Sequence, residues 1–213
     1  MRVVITGASR GIGAELARTY RDHGAEVIGT SRSGGDLVPL DLEAPEFGPL
    51  TDAVGEGPVD LLICNAGIYI DKGQALATGY APDLWARTFA VNVAGPFLTI
   101  QALLPALRRT PGAKVAVIAS AMGSQARAPG GSYIYRSSKA AAVNLVRNFA
   151  QDLRGDGIAV GAYHPGWVRT DMGGSSADIA APESARGLTE RFSELSPETT
   201  GCFRTWDGMD IPL

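Results

Sequence analysis

Val3-Val4-Ile5-Thr6-Gly7-Ala8-Ser9-Arg10-Gly11-Ile12-Gly13 decides the fold. Its β-branched opening reads as a short buried strand, and that strand runs straight into a glycine-rich turn. Beyond the turn, Ile12, Leu16, Ala17 and Tyr20 recur at helical spacing, and Gly24 closes the helix. Glycines in such a turn let the backbone approach an anion closely, and the following helix aims its N-terminus at the same point. An ordinary tight turn would use the same residues. The position after the first strand of the chain favours nucleotide binding.

Working outward, further strands are expected over 25–30, 38–40, 59–64, 114–119 and 158–163. Long helices are expected over about 82–109, with Pro82 at a favoured first position, and 135–154. Strands alternating with helices predict an α/β protein. It is a Rossmann-type doubly wound parallel sheet with helices on both faces, whose ligands sit at the carboxyl ends of the strands. One domain over 1–213 accounts for the whole length. The stretch 173–197 is the least regular and is expected to be a mobile flap with at most one short helix.

The formal charge of −3 and the lack of a basic run argue against a nucleic-acid partner. Cys64 and Cys202 cannot form a disulfide framework, and reduced thiols in the cytoplasm are expected. The first strand starts within a few residues of Met1, leaving no room for a leader, and no apolar run is expected to reach membrane-spanning length. No His, Cys or carboxylate cluster has metal-ligand spacing. The 27 glycines cluster at turns between apolar segments.

The strongest chemical signal is Tyr135-Arg136-Ser137-Ser138-Lys139. Residues i and i+4 share a helix face, so a phenol and an ammonium meet there. A nearby cation favours the phenolate, which predicts a lowered pKa for Tyr135 and an acid/base role. Only three of the nineteen basic residues are Lys, so a compact ammonium at 139 stands out in an Arg-rich chain. Tyr133 is a second phenol, but Ser137 occupies its i+4 position. His164, at a strand end before Pro165-Gly166, and His23, near a helix end, read as structural.

Gly7-x-x-x-Gly11-x-Gly13, Cys64-Asn65-Ala66-Gly67 after the fourth strand, Ser120 after the fifth and Tyr135-x-x-x-Lys139 together resemble the single-domain short-chain dehydrogenases/reductases. Gly130 to Lys139, His164-Pro165-Gly166-Trp167-Val168-Arg169-Thr170-Asp171-Met172 and Trp206-Asp207-Gly208 resemble the C-factor/sniffer branch of carbonyl reductases. The resemblance implies a catalytic set of Asn92, Ser120, Tyr135 and Lys139. Tyr135 would give a proton to a carbonyl, Lys139 would assist it and hold the nicotinamide ribose, Ser120 would bond the carbonyl, and Asn92 would hold a relay water. Ser124 is a rival to Ser120, because Ser120 lies fifteen residues before Tyr135. For the cofactor it implies the Gly7, Ser9, Arg10, Gly11, Ile12 and Gly13 turn, Asn65-Ala66-Gly67 against the adenosine ribose, and Asp41 with Leu42 at the adenine. Pro165, Val168 and Thr170 would flank the nicotinamide.

No acid follows the second strand in Gly29-Thr30-Ser31-Arg32-Ser33, and Arg10 and Arg32 would suit a 2′-phosphate, so NADP(H) is expected over NAD(H). The substrate is expected to be a small carbonyl compound or its alcohol. Two further readings stay open. One is a dinucleotide-binding signalling protein with vestigial catalysis, and the other, less fitting in length and Gly spacing, is a sugar-nucleotide epimerase. Ala140, Ala141, Val143, Leu145, Val146 and Phe149 exceed one buried stripe, and the resemblance implies a homodimer or homotetramer built on the two long helices.

Overall fold

The computed structural model describes all 213 residues. Strand β1 (Arg2–Ile5) feeds helix α1 (Gly11–Asp22), followed by β2 (Glu26–Ser31), β3 (Val38–Pro39), α2 (Gly48–Val54) and β4 (Leu61–Cys64). Helix α3 (Pro82–Phe89) passes through a π-helical segment (Ala90–Ala94) into α4 (Gly95–Leu107). Then come β5 (Lys114–Ile118), α5 (Tyr133–Asp152), β6 (Ala159–His164), α6 (Ala181–Glu194) and β7 (Phe203–Thr205). The seven strands form one sheet in the order β3-β2-β1-β4-β5-β6-β7. Every pairing is parallel.

The parallel sheet follows from its sequence. Leu61 to Cys64 and Val115 to Ile118 are buried on both faces, as continuous apolar runs require. Two cores result. One packs Leu50, Leu103, Leu107, Val143 and Val146 under one face; the other packs Leu16, Tyr20, Leu188 and Phe192 on the opposite face. At 25 cal/mol per Å², each such Leu contributes about 2 kcal/mol. Chain direction reverses its progress across the sheet between β1 and β4. A crevice opens at that point, beyond the carboxyl ends of both strands.

Three expectations need correction. The stretch 173–197 holds the fourteen-residue helix α6, led by Pro182 and packed against α1 through Ala185, Leu188 and Phe192. Its pattern is amphipathic, but its surface charges masked the apolar stripe. The stretch Pro82–Leu107 does reach the length and apolarity of a membrane span, yet half of its most apolar window is buried inside the protein. Third, it is one helical run only in a broken sense, because Ala90–Ala94 is wound as a π-helix. Strand β7 and helix α2 were not anticipated; three and seven residues give too little periodicity to read.

Candidate active site

The crevice floor is the Gly-rich turn. Gly7 and Gly11 take φ of 68° and 57°, conformations that L side chains rarely adopt. A Cβ at Gly13 would lie 2.2 Å from the Gly7 carbonyl oxygen and 2.4 Å from Asn65 Nδ2, so only glycine fits. The turn is clamped from β4. Asn65 Nδ2 donates to the Thr6 and Gly7 carbonyls, both at 3.0 Å. The Thr6 hydroxyl accepts from the Asn65 and Ala66 amides, both at 3.1 Å. The Asn65 side chain is thus committed to shaping the turn, while Ala66 and Gly67 line the cleft.

The cleft encloses about 750 Å³. Gly7, Ser9, Arg10, Gly11, Ile12 and Gly13 line one end, with Arg32, Asp41 and Leu42 beside them. Tyr135, Lys139, Pro165 and Thr170 line the other. Val168 does not. It is buried and bridges to Ile179, leaving Arg169 to Met172 to face the cleft. Two further departures bear on the rim. Arg10 Nη1 lies 2.7 Å from Asp171 in an exposed ion pair, so it is not free at the corner beside Arg32. Glu43 is an acid the sequence pattern did not place here, brought in after β3. Arg87 bonds it at 2.9 Å and holds its carboxyl below the usual range, with a lesser pull from Arg32. Asp41 Oδ1 accepts from the Glu43 amide at 3.0 Å.

At the catalytic end, Gly123 lets the turn after β5 rest on the backbone of α5; a Cβ there would lie 2.7 Å from Lys139 C. Ser120, at the start of that turn, accepts from the Met122 amide at 3.2 Å and lies close enough to Tyr135 to favour its phenolate. The rival Ser124 donates instead to the Pro212 carbonyl. Tyr133 is half exposed and packs edge-on against Tyr80. Lys139 Nζ is buried, donates to the Ile118 carbonyl at 2.8 Å and lies 5.7 Å from the centre of the Tyr135 ring.

The expected lowering of the Tyr135 pKa is reversed. Burial pushes the phenol up to about 12, with Tyr69 and Asp71 adding to the effect and Ser120 opposing it. Burial also brings Lys139 down to about 8, weakening the cation that was expected to act on the phenol. Desolvation of both partners outweighs their proximity. Tyr135 is therefore protonated near neutral pH.

Asn92 sits in the π-helical segment, 1% exposed, with its side chain fully used. Its Oδ1 accepts from the Ile68 amide at 2.9 Å; its Nδ2 donates to the Ile68 carbonyl at 2.9 Å and to Ser138 Oγ at 3.0 Å. It ties the loop after β4 to α5. π-Segments often mark such sites. Cys64 is buried, its thiol raised to about 12, which excludes a thiolate role. Burial lowers His164 to about 4, leaving it neutral at pH 7.

Comparison with known proteins agrees with this geometry. Residues 50–179 match the family model described as short chain dehydrogenase. The chain is 45% identical over 160 residues to the C-signal protein of Myxococcus xanthus, covering 73% of this chain and 93% of that protein. The crystal structure of NADPH-bound carbonyl reductase from chicken fatty liver superposes with a TM-score of 0.90 at 27% identity, over 100% of this chain and 98% of that one. Carbonyl reductase Sniffer of D. melanogaster superposes with a TM-score of 0.88 at 26% identity, over 100% and 99%. With a parallel sheet crossing over at β1 and β4, a glycine-clamped cleft, and tyrosine and lysine at its far end, the chain belongs to the short-chain dehydrogenase/reductase family of oxidoreductases.

Proposed function

We propose that this protein is an NADPH-dependent carbonyl reductase acting on a ketone or aldehyde, with Tyr135 as the general acid. The observation that carries the reading is the meeting of Tyr135, with Ser120 beside it, and Lys139 at one end of a cleft whose other end is a glycine cradle. The cradle fits a pyrophosphate. Gly7 and Gly11 open the backbone, and α1 aims its N-terminus across them. The similar chicken enzyme is bound to NADPH.

When bound, the nicotinamide supplies the hydride. The chain supplies the proton and the charge stabilisation. Tyr135, protonated at neutral pH, donates its phenolic proton to the carbonyl oxygen as that oxygen gains charge. The Ser120 hydroxyl donates to the same oxygen, an oxyanion-type contribution. Lys139, charged below about pH 8, stabilises the phenolate left behind and reaches the ribose. Asn92, whose side chain bonds Ile68 and Ser138, holds the loop after β4 against α5 beside this pair. Arg32 recognises the 2′-phosphate, and Arg10 joins it by leaving Asp171. An exposed ion pair of that kind holds by about 1 kcal/mol or less, so the exchange is easy.

Turnover of a small panel of ketones and aldehydes with NADPH, followed by loss of nicotinamide absorbance, tests the reading. Tight NADPH binding without turnover of any of them would support the second one, a dinucleotide-binding signalling protein. The similarity to C-signal favours that alternative. Assembly follows the apolar surface. Phe97, 39% exposed, packs at a tilt against Phe149, ring centroids 5.4 Å apart, with Leu145 half-buried on the same helix as Phe149. This face pairs two copies, so light scattering at micromolar concentration should give at least a dimer, and a monomer alone would rule the pairing out.

A further inference from the structure

A short irregular loop after β4 holds Tyr135 in place from a distance. Asp71 is completely buried, and its Oδ2 accepts from the backbone amides of Ile134 at 2.9 Å and of Tyr135 at 3.3 Å. These are the second and third amides of α5. The helix's own N-cap, Ser132, does not serve them, because it sits at φ 48° and makes no side-chain cap bond. The Ser132 hydroxyl instead meets the Tyr69 hydroxyl at 2.5 Å. The Tyr69 ring stacks on the Tyr135 ring, centroids 4.2 Å apart and planes at 21°. One loop therefore grips the tyrosine by its backbone, its ring and the residue that opens its helix.

A local Ser, Asn or Asp cap would stabilise the helix as well, at far less cost in burial. Asp71 Oδ1 is buried with no hydrogen-bond partner. An unpaired oxygen on a buried carboxylate is expensive, and native proteins keep few of them. A cap inherited for stability alone does not explain why this one is carried in from 63 residues away. The other groups facing the phenol are Lys139 and the Ser120 hydroxyl; neither touches the backbone at 134 or 135.

We propose that Asp71, together with Tyr69, is a positioning residue for proton transfer. Asp71 sets the height of Tyr135 by holding that residue's own amide, and Tyr69 sets the tilt of its ring. The inference rests on Tyr135 being the general acid.

The test uses the full chain with NADPH and a carbonyl substrate, and compares Asp71→Ala, Asp71→Asn, Tyr69→Leu and Tyr135→Phe. Misplacing a reacting group by a fraction of an ångström predicts a fall in kcat of about tenfold or more for Asp71→Ala and Tyr69→Leu, with NADPH affinity unchanged. Asp71→Asn keeps an acceptor for both amides and should restore most of kcat. Its alcohol-oxidation profile should move to lower pH, because one negative charge beside the phenol is gone. A residue that only caps the helix would lower Tm and leave kcat alone. Native kcat in Tyr69→Leu, and in Asp71→Ala where it folds, would overturn the inference. Native turnover in Tyr135→Phe would overturn the assignment of Tyr135 and this inference with it. An inactive Tyr135→Phe beside fully active Asp71 and Tyr69 variants would remove this inference alone.

Discussion

The Gly-rich turn and the start of α5 solve the same problem in opposite ways. Each must present backbone or side chain to a ligand at the carboxyl edge of the sheet. The turn does so with residues of its own. Gly7, Gly11 and Gly13 admit the geometry, and the clamp comes from Asn65, immediately after the strand β4 that pairs with β1. The start of α5 has an N-cap residue in a left-handed conformation and borrows its acceptor from Asp71. A binding surface for a common cofactor can be written locally. Tyr135 must meet a serine from the turn after β5 and a lysine one turn on, and it is located by contacts distant in sequence.

The largest expected effect breaks the catalytic side alone. Tyr135→Phe keeps the stack on Tyr69 but removes the proton, so carbonyl reduction should fall by roughly 10² to 10⁴ while NADPH affinity holds. Steady-state rates and a fluorescence titration measure the two separately. Breaking the other side should have the converse signature. Gly13→Ala forces a Cβ against the Gly7 carbonyl, and overpacking of about 1–3 kcal/mol should weaken NADPH binding by about tenfold to a hundredfold. A native dissociation constant in that variant would mean that the turn yields more than its geometry implies.

Arg32→Asp sharpens the cofactor side. Losing a charge-assisted contact worth about 1.5–3 kcal/mol should erase the preference for NADPH over NADH, read as the ratio of the two affinities. Equal affinities in the native protein would remove the basis for it. The smallest effect is in pH. Lys139 is charged below about 8 and neutral above, whereas the phenol, at about 12, stays protonated across that range. Reduction should stay level below pH 8 and decline above it as the ammonium is lost. Oxidation of the alcohol needs the phenolate and should still be climbing at the highest pH the protein tolerates. A plateau near pH 7 would show that a cation governs the phenol after all.

Much of this was legible in the chain. Period-2 and period-3.6 patterns placed β1, β2, β4, β5, β6, α1 and α5 to within a few residues, because buried parallel strands and amphipathic helices repeat on short scales. The pairing of Tyr135 with Lys139 was legible because four residues is about one helical turn. Helix α6 was misread as a flap because its contacts with α1 span the length of the chain. The direction of the Tyr135 shift was also misread, since spacing reports proximity and says nothing of burial. Nothing local marked Tyr69 or Asp71.

By itself the sequence determined the alternation of strands and helices, the glycine cradle and the tyrosine–lysine pair, since each depends on residues within a turn or two of one another. Tertiary structure alone decided which serine faces the phenol, that Arg10 is held by Asp171, that Glu43 reaches the rim and that a buried aspartate caps α5. Those contacts join segments dozens of residues apart, and their strength comes from desolvation and packing, which exist only once the chain has closed on itself.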